Sequence, residues 1–213
     1  SYGGGVVYPL ANIISEYKFE DNVLDTVGAN NGTATDITYA AGLVGQSGVF
    51  NGSTSRVDLG SSINSTFESN KPFSISLLIR QPTLGEGYLV CNENDASSPA
   101  LRGFQFRITA SDLVVVLISG GVVALSVTHG HSANTWHHIV FTQDGVNINL
   151  YSDGVIIGSI ATNSGMGAIS YPLRIGVDGR GLDTYFGGDI DCVRVWDKEL
   201  TQTEITAIAT AEL

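Results

Sequence analysis

The chain has 213 residues, of which 43% are hydrophobic and 15% are charged, and its formal net charge is −11. This composition excludes a disordered chain, and the length suits one large globular domain with a well-buried core. With three lysines and a large acidic excess, the chain lacks the clustered positive charge that nucleic acids or anionic membrane surfaces require of a partner. Its longest apolar runs are far too short for membrane insertion.

The first fifteen residues are predicted to be a lead-in segment or a linker. Residues 3–5 are three glycines, and residues 6–10 form a short extended run that contains Pro9. No charged segment followed by an apolar stretch opens the chain, so we expect no signal peptide. We expect instead a processed product or a module of a larger or oligomeric assembly. One domain is predicted over residues 16–213.

From residue 16 onward the sequence predicts short antiparallel β-strands. Residues 73–80 are the clearest case, because four large apolar side chains alternate with mostly polar ones, as in a strand with one packed face. Asp144-Gly145 and Asp153-Gly154 are typical of tight hairpin turns, since glycine readily adopts a positive φ. Strands that recur about every 8–12 residues between turn signals indicate a β-sandwich or barrel.

The end of the chain predicts one short helix. Thr201 and Glu204 have the spacing of a capping box, in which each side chain bonds the backbone of the other residue. Ile205, Ile208 and Ala209 then form a narrow apolar stripe that suits packing against the sandwich.

Three segments of the chain, taken in order, resemble the laminin G-like, or concanavalin A-like, lectin jelly-roll family. They are residues 16–60, residues 72–80 with the sequence PFSISLLIR, and residues 185–205 with the sequence YFGGDIDCVRVWDKELTQTEI. The family often has Trp where Leu78 stands. The resemblance covers roughly residues 16–208 and implies an all-β, antiparallel β-sandwich with one short C-terminal helix. The family includes lectins, carbohydrate-binding modules, adhesion modules and viral appendages, so the fold does not fix the function.

Acidic residues near both ends of the domain are candidate metal ligands. Asp189 and Asp191 project to the same side of a regular strand. The resemblance implies that the first and last strands lie close together, that Glu20 meets Asp191, and that a structural Ca²⁺ binds there through oxygen ligands. The predicted ligand set is Glu20, Asp21, Asn51, Asp189 and Asp191. The alternative is that these side chains cap turns or pair with Arg194 and Arg56.

Two polar loops are candidate ligand-binding segments. Residues 92–95 separate apolar segments, and loops on a rigid sandwich often carry binding residues. Residues 178–185 combine glycines, carboxylates, an arginine and a tyrosine, which are residue types that suit a sugar site. The predicted binding residues are Asn92, Asn94, Asp95, Asp178, Arg180, Asp183 and Tyr185. Each segment also suits an ordinary turn or hairpin connection.

Zinc binding is disfavoured, although all four histidines, His129, His131, His137 and His138, lie within ten residues. His137 and His138 are adjacent in a predicted strand and face opposite ways, whereas zinc needs three or four converging ligands. Cys91 and Cys192 lie far apart in apolar runs, which favours free thiols over a disulfide and leaves the redox compartment open.

Catalysis is disfavoured as well. Some glucanases share this jelly roll and use two carboxylates about 5–5.5 Å apart on one strand. Glu93-Asn94-Asp95 begins such a run but lacks the final acid. We therefore expect a non-catalytic recognition module that binds carbohydrate, stiffened by a structural Ca²⁺ and located outside a cell, on a cell surface or on a virion. The alternative is a structural or adhesive module of a virion appendage or surface protein that contacts protein rather than glycan.

Overall fold

The computed structural model describes residues 8–68, 70–93, 102–119, 122–162, 168–169, 171–181 and 184–213. These residues form two antiparallel sheets that enclose a common apolar core, and one C-terminal helix. The predicted β-sandwich with a short terminal helix is therefore confirmed. In these segments no helix is both long and apolar enough to cross a membrane.

Strands are numbered in chain order, and both sheets mix strands from distant parts of the chain. The first sheet runs from one edge to the other as β13 (Val155–Ala161), β12 (Asn147–Ser152), β11 (His137–Gln143), β6 (Phe73–Arg80), β15 (Gly187–Trp196), β4 (Gln46–Asn51) and β3 (Thr38–Ala41), and β1 (Ile13–Tyr17) also pairs with β15. The second sheet runs as β10 (Val122–Thr128), β9 (Asp112–Ser119), β8 (Arg102–Ile108), β7 (Gly87–Cys91), β14 (Arg174–Ile175), β5 (Arg56–Asp58) and β2 (Thr33–Thr35). A 3₁₀ turn spans Asn64–Thr66, and helix α1 spans Gln202–Glu212. Residues 13–15, in the predicted lead-in, are the first residues of β1.

Aromatic rings from both sheets fill the middle of the sandwich. Phe73 of β6 packs edge-to-face on Phe141 of β11 with ring centroids 5.1 Å apart, and Phe104 of β8 contacts both rings. All three side chains are fully buried. The alternation predicted for residues 73–80 therefore places its large apolar side chains in the core, where edge-to-face pairs add to the stabilisation from burial.

Helix α1 lies on the outer face of the first sheet. Thr201 and Glu204 form the predicted capping box. Ile205 and Ile208 pack with Trp196 of β15 in a second apolar cluster, separate from the main core. Gln202 and Thr206 donate side-chain hydrogen bonds to the carbonyl of Gly154, so the helix is also tied to the β12–β13 turn.

Strand β15 changes its neighbour halfway along its length. Its residues 187–190 pair with β4, whereas its residues 193–196 pair with β1, while β6 lies along its other side. The register with β6 shifts between Asp191 and Arg194, and Cys192 has a φ of 50°. A shift of this kind is a β-bulge, which bends the strand and reverses which side chains face inward. Cys192 and Cys91 are both buried and unbridged, as predicted.

A buried ion network holds the two ends of the domain together through Arg194. The guanidinium Nε lies 2.9 Å from Glu16 Oε1 in β1, and one terminal nitrogen lies 2.7 Å from Glu212 Oε1 in α1. The same guanidinium lies 4.0 Å from the ring centroid of Tyr8, before β1. Burial alone would raise the pKa of Glu16, but hydrogen bonds led by that from Arg194 outweigh burial and lower it.

The substitution Arg194→Ala is expected to lower the free energy of unfolding by about 3–5 kcal/mol, because it removes the buried guanidinium that pairs with Glu16 Oε1 and leaves Glu16, among the described residues, only the partly exposed Lys18 as a cationic partner. Arg56→Ala, which removes the partly exposed pair with Asp58, is the control and should cost about 1 kcal/mol or less. Urea denaturation followed by circular dichroism measures both values. Similar losses for the two variants would contradict a special role for the buried network.

Candidate functional site

The first candidate site is a notch in the first sheet, formed by Asp191, the β3–β4 turn at residues 42–46, and Glu20 with Asp21. It exists because neither β4 nor β1 pairs with β15 at Asp191. The Asp191 side chain is buried, and its Oδ2 accepts a hydrogen bond of 3.3 Å from the Val44 N–H. Its Oδ1 is buried too, and it accepts no hydrogen bond of normal geometry from the described residues.

Glycines in the β3–β4 turn let two carboxylates approach the backbone. The turn closes through a hydrogen bond of 3.0 Å from the Gly42 N–H to the Gly45 carbonyl. A Cβ at Gly42 would lie 2.8 Å from Asp191 Oδ2, and a Cβ at Gly45 would collide with the Glu20 carboxylate. Gly45 also has a φ of 72°, which favours glycine. The turn is therefore shaped to receive both acidic side chains.

The structure brings Glu20 and Asp21 to the same turn as Asp191. Glu20 Oε1 accepts a hydrogen bond of 3.2 Å from the Gln46 N–H, and Asp21 Oδ2 accepts one of 2.6 Å from the Gln46 side-chain amide. Both carboxylates are exposed, in contrast to Asp191. Three of the five predicted metal ligands thus border the notch.

The other two predicted ligands lie elsewhere and have other roles. Asp189 faces the same side of β15 as Asp191, but its Oδ2 lies 2.8 Å from Nε of Arg80. Asn51 is at the opposite end of β4 from the notch, roughly 16 Å from its first residue at a strand rise of about 3.3 Å per residue. Its Oδ1 accepts backbone hydrogen bonds at residues 53–55 and so caps its own turn. Asp189 therefore pairs with an arginine and Asn51 caps a turn, as in the alternative to metal binding given above. The arginine is Arg80 instead of Arg194 or Arg56.

The donor chemistry of the notch fits a hard cation. Burial raises the pKa of Asp191 to about 7, although the nearby Cys192 thiol, the Val44 N–H that donates to Oδ2, and the Cys192 N–H favour its charged form. A buried carboxylate oxygen without a partner is costly, and a bound cation would compensate it. Within the described ranges, no three His, Cys, Asp or Glu side chains converge on one point. Because Ca²⁺ takes 6–8 oxygens, a site here would also need backbone carbonyls of the turn.

The second candidate site is a polar platform on the outer face of the second sheet. Tyr88 pairs with Arg107, and Cys91 pairs with Gln105, across β7 and β8. Because Phe104 and Phe106 point into the core, the alternate side chains of β8 point outward. We use "platform" for the outward side chains of Tyr88, Gln105, Arg107 and Arg174 together with Glu93, Asp178 and Arg180.

Hydrogen bonds and ion pairs hold the polar groups of the platform in place. Gln105 donates to Glu93 Oε2 at 2.5 Å, and Nε of Arg180 lies 2.7 Å from Asp178 Oδ2. Burial raises the pKa of Glu93, and the nearby Asp178 carboxylate adds to the rise. Burial, followed by the Glu93 carboxylate, raises the pKa of Tyr88 to about 12. The platform therefore combines a phenol ring, an amide, carboxylates and guanidinium groups in fixed positions.

The predicted ligand-binding residues divide into three groups. Asp178 is buried against Arg180, whose side chain is 33% exposed, and Tyr185 is half-buried with its hydroxyl donating to the Gly181 carbonyl at 3.0 Å. Asn92, in contrast, is fully buried, and its Oδ1 accepts from the Phe104 N–H at 3.0 Å. Its role in ligand binding stays a prediction. Asn94, Asp95 and Asp183 lie outside the described residues.

The platform residues that lie on strands were not among the predicted binding residues. Tyr88, Gln105 and Arg107 belong to β7 and β8 rather than to a connection. The available signal was the alternation of Gln105 and Arg107 with buried phenylalanines, which marks a wet sheet face. That signal identifies an exposed face, but only the strand pairing shows that Tyr88 joins it.

The sequence of this chain matches the model of the family described as the concanavalin A-like lectin/glucanases superfamily over residues 51–206. No curated protein sequence is similar enough to the chain to count as a match.

Several solved structures share the fold. One is domain 4 of AbnA, a GH43 extracellular arabinanase from Geobacillus stearothermophilus, in complex with arabinotriose; it is 21% identical, with a TM-score of 0.73, and the match covers 93% of this chain and 98% of that one. The binding domain of Paraclostridial Mosquitocidal Protein 1 is 19% identical with a TM-score of 0.76, and that of Botulinum neurotoxin serotype G is 17% identical with a TM-score of 0.74. Each toxin match covers 94% of this chain but only 52% and 51% of the respective toxin chains. At these identities the likeness establishes the fold alone.

The substitution Asp191→Asn tests the notch in metal-free protein. Because the folded-state pKa is raised above the ordinary value of 3.8, this group's contribution to stability is present below about pH 4 and is lost as pH rises through about 7. In chelator, the unfolding free energy of the variant relative to the natural chain should rise by up to about 1.4 kcal/mol per pH unit between pH 5 and 7. Urea denaturation at several pH values measures this.

Asp144→Asn is the matched control for that experiment. Backbone hydrogen bonds outweigh desolvation and lower the pKa of Asp144, so its charge does not change above pH 5. Its difference from the natural chain should therefore stay constant. A constant difference for Asp191→Asn as well would show that the buried carboxyl does not titrate in this range.

Proposed function

The chain belongs to the concanavalin A-like lectin/glucanase superfamily, and on that premise we propose that it is a non-catalytic carbohydrate-binding module. The observation that carries the proposal is the platform, where a phenol ring lies among hydrogen-bonding groups whose positions are fixed by one another. Sugars are bound by aromatic faces together with planar polar groups that bond adjacent hydroxyls. Domain 4 of the arabinanase, solved with arabinotriose, supports a role of this kind for the fold.

The charge distribution on the platform favours a neutral glycan. Nε of Arg174 lies 2.5 Å from Asp58, a terminal nitrogen of Arg107 lies 2.5 Å from Glu86, and Arg180 pairs with Asp178. These arginines are thus balanced locally by carboxylates, in a chain whose net charge is −11. Paired guanidinium and carboxylate groups still offer donors and acceptors to hydroxyl groups, while the overall field disfavours an anionic ligand.

In this proposal, a structural Ca²⁺ binds at the notch and stiffens the sheet. Asp191 would hold it together with backbone oxygens of residues 42–46, and Glu20 and Asp21 would have to turn from Gln46 towards the ion, because the three carboxylates do not converge in the structure as described. The ion would supply charge compensation for Asp191 and a link between β15, the β3–β4 turn and the segment after β1. Its role would be stability, because the notch belongs to the first sheet and the platform to the second.

The second candidate function is recognition of a protein partner. The likeness to toxin binding domains favours it, since those structures share the fold with this chain. Both functions place the module outside a cell or on the surface of a cell or particle. They differ in the ligand that the platform would contact, so one binding experiment separates them.

Titration calorimetry with arabinotriose and a panel of neutral oligosaccharides tests the glycan proposal. For a ligand that binds, Tyr88→Ala should weaken affinity at least about tenfold, or about 1.4 kcal/mol, through loss of an aromatic contact. Tyr39→Ala is the matched control, because Tyr39 lies on β3 of the other sheet. If the chain binds none of the oligosaccharides but does bind a protein, the second function is favoured.

Thermal melting in calcium and in chelator tests the cation. At calcium concentrations about 100 times Kd, the ion should stabilise the protein by about 2.7 kcal/mol, which corresponds to roughly 5–10 °C in Tm. Asp191→Asn should abolish this shift, whereas Asp189→Asn should keep it because Asp189 pairs with Arg80. An identical Tm in calcium and in chelator would contradict the calcium proposal and would not affect the glycan proposal.

A further inference from the structure

Three of the four histidines form a stack apart from the notch and the platform. His129 and His131 lie in the connection between β10 and β11, and His137 is the first residue of β11. The ring centroids of His129 and His131 are 4.0 Å apart, and those of His131 and His137 are 3.9 Å apart with planes only 9° from parallel. Rings stacked face to face do not direct their in-plane lone pairs at one point, so the stack is not a zinc site.

Two of these rings accept hydrogen bonds from the backbone of the same connection. His129 Nδ1 accepts from the His131 N–H at 2.8 Å, and His137 Nε2 accepts from the Ser132 N–H at 3.3 Å. A ring nitrogen accepts only while it carries no proton. Protonation of either ring would turn that acceptor into a donor facing another donor. Both backbone bonds therefore require neutral imidazoles.

The middle ring has no place for a charge. His131 is buried; its Nε2 lies 2.8 Å from Ser152 Oγ, and its Nδ1 finds no partner among the described residues. Burial, followed by the neighbouring rings of His137 and His129, lowers the pKa of His131 to about 3. A proton on His131 would therefore create a buried cation between two other titratable rings.

The charged groups around the stack do not remove this constraint. Oδ2 of Asp153, from the β12–β13 turn, lies 2.8 Å from His137 Nδ1, and the Asp153 carboxylate also favours the charged form of His131, but burial outweighs that effect. Asp112, from β9, acts on His129, but burial still lowers the pKa of His129. His129 Nε2 lies 3.3 Å from the Thr109 carbonyl, so the β8–β9 turn offers the stack a neutral acceptor.

The stack fastens residues 129–136 to the body of the sandwich. Ser152 and Asp153 belong to the end of β12 and the turn that also receives the hydrogen bonds of α1. At the other end of the connection, the Asn134 N–H donates to the Gln81 carbonyl at 2.8 Å, and the Trp136 ring lies 4.9 Å from the Arg80 guanidinium carbon. Release of the stack would leave the connection held, within the described part of the chain, only by these contacts and by the His129 N–H bond to the Ser111 carbonyl, without breaking a strand.

We propose that the stack of His129, His131 and His137 is an acid-sensitive latch, which holds residues 129–136 closed while the rings are neutral and releases them before the sandwich unfolds. In the released connection His131 titrates near its ordinary value of 6.5. Because the pKa in the closed form is lower, the stability of the latch is present above about pH 6.5 and is lost as pH falls towards 3. At pH 5, protonation of His131 alone should raise the ratio of open to closed latch about thirtyfold relative to its value at a pH where His131 is neutral in both forms.

A pH titration by ¹H–¹⁵N NMR, with circular dichroism of the sheets in parallel, tests the latch in the natural chain. The amide signals of His131, Ser132 and Trp136 should change between pH 6.5 and 4.5 while the circular dichroism stays constant. If these signals keep their positions until the circular dichroism reports global unfolding, the latch does not exist. This result does not depend on whether any variant folds.

Two variants then separate titration from simple loss of packing. His131→Phe keeps an aromatic ring in the stack and removes its proton site, so opening at pH 5 should fall at least about tenfold relative to the natural chain. The pair His129→Asn and His137→Gln keeps oxygen acceptors for the two backbone N–H groups and keeps His131 as the titrating ring, so it should still open in acid. Opening of His131→Phe at the same pH as the natural chain, or loss of acid opening in the double variant, would overturn the proposal.

Discussion

The structure depends on the change of neighbour in β15. One side of this strand can pair with only one partner at each residue, and β4 and β1 share it, so pairing is interrupted where one ends and the other begins. The bulge at that point reverses the faces of the strand. Ile190 faces the main core before it, and Val193 and Val195 face the core after it. Arg194 and Trp196 are therefore directed to the outer face.

Two consequences follow from this single irregularity. Trp196 becomes part of the apolar cluster beneath α1, and Arg194 reaches the carboxylates of β1 and α1 that surround it. Without the bulge, both side chains would enter the main core, where a guanidinium would lack acidic partners. The interruption also leaves Asp191 beside a turn instead of beside a strand. The helix, the ion network and the notch thus share one origin in the backbone.

The two outer sheet faces differ in how far the rest of the chain covers them. On the first sheet, α1 and the segment before β1 cover buried polar groups, including Arg194 and His138, which lies 2.8 Å from Ser76. On the second sheet, the outward side chains of β8 are partly exposed and carry amide and guanidinium groups. The covered face contributes to stability, whereas the partly exposed face is the one on which we propose that a ligand binds.

The sequence predicted the features that depend on local pattern. The alternation in β6, the capping box of Thr201 and the Asp153-Gly154 turn each involve residues that are neighbours in the chain. The bulge was not visible, because Cys192 is not a residue type that signals a positive φ. Asp189 and Asp191 look equivalent in the sequence, yet one pairs with Arg80 and the other with Val44, both more than a hundred residues away. Asn92 suggested a loop ligand, but it satisfies a buried backbone N–H of β8.

The buried titratable groups of this fold act on its stability in opposite directions. The pKa values of His131 and His138 are each lowered to about 3, chiefly by burial, whereas burial raises that of Asp191 to about 7. Between about pH 4 and 6.5, folding therefore releases protons from the two histidines and takes up one proton at Asp191. By linkage, the net effect of these three groups is that stability rises with pH and levels off near pH 7. A cation at the notch would stabilise the charged form of Asp191. Of these three groups, only the two histidines would then make the stability fall as pH decreases below about 6.5.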